Sequence, residues 1–220
     1  YGFPYDVENI SNIVKEKNIW MIEDSAQAHG ARLNGQKIGT FGEIATYSFF
    51  PGKNLGAFGD AGAINTNSDT LADLCRKLAD GGRTNKYEHE ILGWNSRLDT
   101  LHASVLDAKL QLLDEWNVER TNIANIYDDR LKNIEQITLP IKLDNTIPVY
   151  HIYPVLVENR ERFINYMNEK GVSTGIHYPI PLHLQNAFSY LGHKMGDFPN
   201  SEEICFNEVS LPIFPYMDHD

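Results

Sequence analysis

The chain has 220 residues, 42% of them hydrophobic, and carries 30 Asp and Glu against 19 Lys and Arg for a net charge of −11. That composition supports a sizeable core and argues against disorder. No block rich in Lys and Arg offers the clustered positive charge of a nucleic-acid surface, and no run of about 18 apolar residues is present to span a membrane. Cys75 and Cys205 fit neither a disulfide framework nor a metal-ligand spacing, so a reducing, cytoplasmic setting is the default. The chain opens on Tyr1-Gly-Phe-Pro and closes on Pro215–Asp220 after an apolar segment, and both ends read as cut from something longer.

In chain order, Val7, Ile10, Ile13 and Val14 recur at a helical period behind Asp6, a plausible N-cap, which predicts a helix over 6–17. Ile19–Ile22 reads as a short buried strand that ends in Glu23-Asp24. Asn34-Gly35 signals a turn, 44–50 and 61–66 read as strands, and Ser68 caps a helix to about 78. Residues 80–96 are rich in Gly, Asn and charge and predict a loop able to reach outward. Helices are predicted over 99–113 and 116–131, and 137–148 reads as a linker. A strand at 149–157, a helix over 160–170 closed by Gly171, and a strand at 172–177 follow. The pattern predicts an α/β fold: an open sheet with ligands at the carboxyl ends of its strands over 1–136, then a small α+β domain over 137–220.

The stretch Ser48-Phe-Phe-Pro-Gly-Lys53-Asn-Leu-Gly-Ala-Phe-Gly-Asp60 sets a lysine among aromatic residues and glycines directly after a strand. Desolvation there disfavours the ammonium, lowers its pKa and makes the amine a nucleophile toward carbonyl carbons; the alternative is a surface lysine in a loop. Asp24, at the end of a strand, is placed to pair with a protonated heterocyclic nitrogen, as enzymes do to tune pyridoxal phosphate, or simply to cap a helix or meet solvent. Gln27, three residues on, suits a hydrogen bond to the ring's phenolic oxygen or is an ordinary polar loop residue. Ser48, at a strand end, suits a phosphate oxygen or a neighbouring backbone group. Gly56, Gly59 and Gly62 do not match the dinucleotide fingerprint and read as room for tight backbone near Lys53. His29, His177 and His183 lack metal-ligand spacing, with Pro179 and Pro181 between the last two, so no metal is expected; contact with a polar substrate is the alternative.

Together these segments resemble the DegT/DnrJ/EryC1/StrS sugar aminotransferases, which are fold-type-I (aspartate aminotransferase-like) pyridoxal-phosphate enzymes. The resemblance rests on Glu23-Asp-Ser-Ala-Gln-Ala-His-Gly30, Ser48–Gly56, Gly59-Asp-Ala-Gly-Ala63, Tyr87-Glu-His89 and Asn95-Ser-Arg-Leu-Asp99. It continues through His177-Tyr-Pro-Ile-Pro-Leu-His183, Gly196-Asp-Phe-Pro199 and Leu211-Pro-Ile-Phe-Pro215. It implies that Lys53 bonds pyridoxal 5'-phosphate and carries the proton, that Asp24 pairs with the pyridine nitrogen, that Gln27 meets the phenolic oxygen and that Ser48 holds the phosphate. Asn95 would reach the phosphate of a partner subunit in a cytoplasmic homodimer with shared sites, and His177, Tyr178 and His183 would face the sugar. The implied reaction moves an amino group, from L-glutamate as the usual donor, to a nucleotide-linked keto-sugar, with the 3-position of a dTDP-6-deoxyhexose preferred over C4 of a UDP- or dTDP-sugar. Deoxysugar, polysaccharide or O-antigen biosynthesis is the implied setting.

The chain departs from the family in length. The family's Gly-Thr-x-Ala-type phosphate loop and its ring-stacking aromatic are missing, so a fragment of the large domain is expected, with an inactive remnant that keeps only the fold or dimer surface as the competing reading. A keto-sugar dehydratase is the other relative; it carries histidine at the place of Lys53. His102 stands where the family more often has glutamine and reads as a packing variation.

Overall fold

The computed structural model describes residues 1–218; His219 and Asp220, the end of the expected second domain, lie outside the described residues. In chain order the elements are α1 (Val7–Glu16), β1 (Ile22–Asp24), β2 (Arg32–Leu33), β3 (Gln36–Lys37), β4 (Ile44–Ser48), β5 (Gly62–Asn65), α2 (Asp69–Ala79) and α3 (Thr100–Leu110). They continue with α4 (Leu113–Leu131), β6 (Ile137–Thr138), β7 (Thr146–Ile147), β8 (Tyr153–Val157), α5 (Arg160–Glu169), α6 (Pro199–Asn207) and β9 (Glu208–Leu211). Two compact units form. The larger holds Gly2–Val118 and Lys142–His151; the smaller holds Tyr1, Glu119–Ile141 and, of the described residues, 152–218. Their boundary falls inside α4 rather than at 136/137, and 142–151 belongs with the larger unit because β7 pairs with β2.

In the larger unit one sheet runs β1-β4-β5, with β1 parallel to β4 and β4 antiparallel to β5. The parallel register sets Asp24 opposite Thr46, so β1 and β4 deliver their carboxyl ends, Asp24 and Ser48, to one sheet edge. β1 starts later than the sequence pattern suggests. The Met21 amide donates to Glu43 Oε2 at 2.7 Å instead of joining a ladder, and Ile19 and Trp20 lie exposed. Asn34 (φ 50°) and Gly35 (φ 81°) both take the left-handed conformation that the two-residue turn of the β2–β3 hairpin requires. Asp6 and Ser68 cap α1 and α2, accepting from the Asn9 and Leu71 amides. One apolar cluster joins Val7, Met21, Ala28, Ala31, Leu33, Ile38 and Val149; a second joins Leu55, Ala57, Leu106 and Leu113.

In the smaller unit β6, β8 and β9 form an antiparallel sheet in the order β6-β8-β9, with α5 and α6 beside it. The strand predicted at 149–157 is shortened because Tyr150 has φ 43°, which ends extended backbone. The strand predicted at 172–177 does not form. Only Gly175 bridges, to Ser210, and the His177 amide donates to the Glu208 side chain at 2.6 Å where a strand would use a backbone carbonyl. Pro199 at the first turn of α6 suits a helix start, since its missing N–H would go unpaired there anyway. No helix among the described residues is long and apolar enough to cross a membrane.

Candidate active site

Lys53 stands in a loop tied down on all sides within the larger unit. The loop closes through Phe49 N to Ala61 O at 2.7 Å, Ala57 N to Phe49 O at 2.8 Å and Lys53 N to Phe50 O at 2.9 Å. A Cβ at Gly56 would lie 2.3 Å from the Pro51 carbonyl oxygen, so only glycine fits, and Lys109 Nζ donates to the Gly56 carbonyl. Leu55 and Ala57 anchor the far side in the apolar core. Asn54, buried directly after the lysine, donates to Asn117 Oδ1 at 3.0 Å and to the Val149 carbonyl at 2.9 Å, while Asn117 donates to the His29 carbonyl at 2.8 Å. With its backbone so fixed, the half-buried Lys53 side chain has little freedom to escape its setting. Burial pulls its pKa below the ordinary lysine value, and the negative charge of Asp24 partly opposes that shift.

Asp24 is exposed at the strand end. Its Oδ1 accepts from the Ala26 amide at 3.0 Å; its Oδ2 makes no hydrogen bond among the described residues. Ser48 Oγ accepts from the Phe50 amide at 3.3 Å, which leaves its own hydroxyl proton available. Gln27 is half-buried with no hydrogen bond from its side chain among the described residues. The structure thus brings Asp24, Ser48 and Lys53 to one sheet edge. A free carboxylate oxygen, a free hydroxyl proton and an amine with a disfavoured charge fit a group with a basic ring nitrogen, an anionic tail and an aldehyde. Asn95 stands apart in an exposed segment that bridges to Asp80, with its Oδ1 accepting from Arg97 Nε at 2.9 Å. The base of that segment is held to α2 by Trp94 N to Leu78 O at 2.7 Å and Ser96 N to Ala79 O at 2.8 Å, and Tyr87 at its tip is 80% exposed. A cleft of about 820 Å³ elsewhere in this unit, lined by Ile64, Cys75 and Arg76 among others, contains none of these residues.

One position escaped the sequence reading. Glu23 is fully buried, and its carboxylate accepts from Gly39 N at 2.7 Å, Phe41 N at 2.6 Å and Gly42 N at 2.7 Å. The strand period gives the signal: beside an outward Asp24, Glu23 must point inward and needs donors. His29, which the sequence offers for contact with a polar substrate, is buried. It lies 4% exposed between the Tyr47 and Phe49 rings, and neither ring nitrogen finds a hydrogen-bond partner among the described residues. Burial pushes its pKa down to about 4; the nearby Ser48 backbone favours the proton and Lys53 opposes it. The unfolded chain therefore takes up a proton near 6.5 that the folded chain refuses until about 4. The contribution of His29 to stability should be full above pH 6.5, fall by about 3 kcal/mol as the pH drops from there toward 4, and level off below. Urea unfolding across that window should show the loss in the parent and not in His29→Phe, which keeps a ring between Tyr47 and Phe49.

The remaining predicted residues belong to the smaller unit. The His183 side chain is 8% exposed, with Nε2 at 2.9 Å from Glu202 Oε1. Burial opposes the Glu202 charge, but donation from the Gly196 amide, His183 and the Phe198 amide holds its carboxyl below the usual range. His183 is thereby committed to a structural clamp on the 193–198 loop. His177 is half-buried, with Nδ1 at 2.7 Å from Ser210 Oγ, and Tyr178 is 56% exposed beside it. Of the three, His177 and Tyr178 are the side chains open to a ligand.

A family model described as the DegT/DnrJ/EryC1/StrS aminotransferase family matches residues 1–220. The chain is 46% identical over 220 residues to a dTDP-3-amino-3,6-dideoxy-alpha-D-galactopyranose transaminase of Aneurinibacillus thermoaerophilus, covering 100% of this chain and 60% of that protein. It is 41% identical over 222 residues to a "Pleiotropic regulatory protein" of Geobacillus stearothermophilus, with 100% and 60% covered. Among solved structures, the S. venezuelae protein DesV in complex with a ketimine intermediate superposes with a TM-score of 0.97 at 39% identity, covering 100% of this chain and 59% of that one. The chain thus spans about 60% of the length of the curated relatives it matches.

Proposed function

The chain belongs to the DegT/DnrJ/EryC1/StrS aminotransferase family, and from that premise we propose that the protein carrying it is a pyridoxal-phosphate aminotransferase for nucleotide-linked keto-sugars. Its acceptor carbon is the 3-keto position of a dTDP-6-deoxyhexose and its donor is L-glutamate. The observation that carries this reading is the pairing of Lys53, whose ammonium is disfavoured by burial, with the Asp24 charge at the carboxyl edge of two parallel strands. The transaminase name of the A. thermoaerophilus relative supports a 3-amino product on a dTDP-sugar. The regulatory name of the G. stearothermophilus relative points elsewhere, but a lysine whose charge burial disfavours, within the field of the Asp24 carboxylate, favours the aminotransferase reading.

Pyridoxal phosphate, when bound, supplies an electron sink for the substrate carbon that loses its proton. Asp24 Oδ2 would accept from the protonated ring nitrogen, the Gln27 amide would donate to the ring oxygen and the Ser48 hydroxyl would donate to the phosphate. Lys53 Nζ would bind the aldehyde carbon until the incoming substrate amine displaces it, and the released neutral amine would then take the proton from the substrate carbon and return it to the former aldehyde carbon. Asn95 keeps its Nδ2 donors for the phosphate of a second copy, which makes a homodimer with shared sites part of the proposal. His177 and Tyr178 serve the sugar. A cytoplasmic location in deoxysugar or surface-polysaccharide synthesis completes the reading.

The test separates the two half-reactions. Protein loaded with pyridoxal phosphate and given L-glutamate alone should yield one equivalent of 2-oxoglutarate and convert the cofactor to its pyridoxamine form. Adding a dTDP-linked 3-keto-6-deoxyhexose should return it, and a UDP-4-keto-sugar should not. Absence of the L-glutamate conversion would sink the proposal; turnover of only the 4-keto-sugar would move the acceptor carbon to C4.

A further inference from the structure

The smaller unit contains a buried acid–hydroxyl–imidazole chain. Glu208 opens β9 with no exposure to solvent. Its Oε2 accepts from the His177 amide at 2.6 Å, and its Oε1 accepts from the Ser210 hydroxyl. Ser210 Oγ is in turn 2.7 Å from His177 Nδ1. Gly175 makes the approach possible, since a Cβ there would lie 2.9 Å from His177 Cε1. The Tyr1 phenol donates to the His177 carbonyl. That phenol is pushed up to about 12, by burial first and by the Glu208 charge next, so it stays a donor. His177 is thus held by its amide, its carbonyl and one ring nitrogen, while Nε2 makes no hydrogen bond among the described residues.

A hydroxyl carries a single proton. Ser210 gives its proton to the Glu208 carboxylate and has only lone pairs left for His177, so Nδ1 must be the donor between them. A neutral imidazole with its proton on Nδ1 presents a lone pair at Nε2. We propose that Glu208 and Ser210 are positioning residues that lock His177 in the Nδ1–H tautomer, so that Nε2 accepts a hydrogen bond from a ligand hydroxyl. The identity of that ligand rests on the aminotransferase reading, under which the hydroxyl belongs to the sugar ring. The opposite tautomer would offer a donor and would suit a keto or phosphate oxygen instead. The relay therefore selects which kind of group the histidine recognises, in the way that second-layer partners set histidine tautomers at metal sites.

Glu208→Gln tests the relay without changing its shape. With the amide oxygen on the His177 N–H, the amide NH2 faces Ser210, whose proton then turns to His177 Nδ1 and leaves the ring protonated on Nε2. Nitrogen-15 NMR of the histidine-labelled, pyridoxal-phosphate-loaded protein should show His177 protonated on Nδ1 in the parent and on Nε2 in Glu208→Gln. The kcat/KM for the keto-sugar half-reaction should fall about 10- to 100-fold, the loss expected when a buried site faces a ligand hydroxyl with the wrong polarity. The L-glutamate half-reaction should stay within about twofold. If Glu208→Gln does not fold, Ser210→Ala gives the second reading: Nδ1 loses its acceptor and both tautomers should appear. A parent His177 protonated on Nε2, or a tautomer indifferent to these substitutions, overturns the relay even if both half-reactions run. A parent without the L-glutamate half-reaction overturns the aminotransferase reading, and the tautomer measurement still decides the relay.

Discussion

Lys53→Ala is expected to lower turnover by at least about 10²- to 10⁴-fold, the loss that follows removal of a positioned proton carrier, while the unfolding midpoint hardly moves. The two effects separate because the loop does not depend on the amine. Its shape rests on the Asn54 side chain, the Leu55 and Ala57 core contacts, the Pro51–Gly56 approach and the Lys109 bond to Gly56. Lys53 Nζ makes no hydrogen bond among the described residues, and burial disfavours its charge, so truncation leaves no broken ion pair behind. Lys53→Arg should be no better than alanine, because a guanidinium stays protonated and cannot accept the proton. The variants should also lose the visible absorption of lysine-bound pyridoxal phosphate, and small primary amines added to Lys53→Ala should restore part of the turnover by taking up the proton in place of Nζ. Full activity in Lys53→Ala would remove the lysine from the chemistry.

Much of this site could be read from the chain because it is built from local signals. Lys53 follows a strand directly, Asp24 ends the neighbouring one, and parallel pairing of β1 with β4 is all that is needed to bring their carboxyl ends together. The Asn34-Gly35 turn and the caps at Asp6 and Ser68 are likewise decided within a few residues. What escaped depends on partners distant in sequence. The stretch 172–177 has strand-like residues, yet the Glu208 side chain, 31 positions on, takes the His177 amide and only Gly175 joins a ladder. β9 itself is hidden because Glu208 and Ser210 break the apolar run of a buried strand, and their reason for being polar is His177. The resemblance sets His183 against the sugar beside His177, but Glu202 on α6 claims its ring. The stretch 137–148, with Pro140 and Pro148, reads as a linker, whereas a two-residue strand, β7, returns its part from Lys142 on to the larger unit through β2.

Glu23 carries the largest expected effect on folding. Its carboxylate gathers the amides of Gly39, Phe41 and Gly42, three donors in one short loop, from a position that is 1% exposed. Each donor left without a partner costs about 1–3 kcal/mol when it stays dry. Gly39 is buried and the other two are half-buried, so water can reach part of the space that alanine would open. Glu23→Ala should therefore cost about 3–5 kcal/mol, a large share of the roughly 5–15 kcal/mol that holds a typical domain together. Glu23→Gln should cost less, about 2–3 kcal/mol: its oxygen can keep Phe41 and Gly42, but its NH2 then faces the Gly39 N–H, donor against donor. Urea midpoints at constant slope would order the variants parent, Glu23→Gln, Glu23→Ala. The same substitutions should reach the chemistry, because β1 is only three residues long and Asp24 is the next one along it. A strand that loses its inward anchor no longer holds its outward carboxylate in register with β4, so pyridoxal-phosphate affinity should fall in the same order as stability. Unchanged cofactor affinity in a destabilised Glu23→Gln would show that Asp24 is held by its own turn, through the Ala26 amide, rather than by the strand behind it.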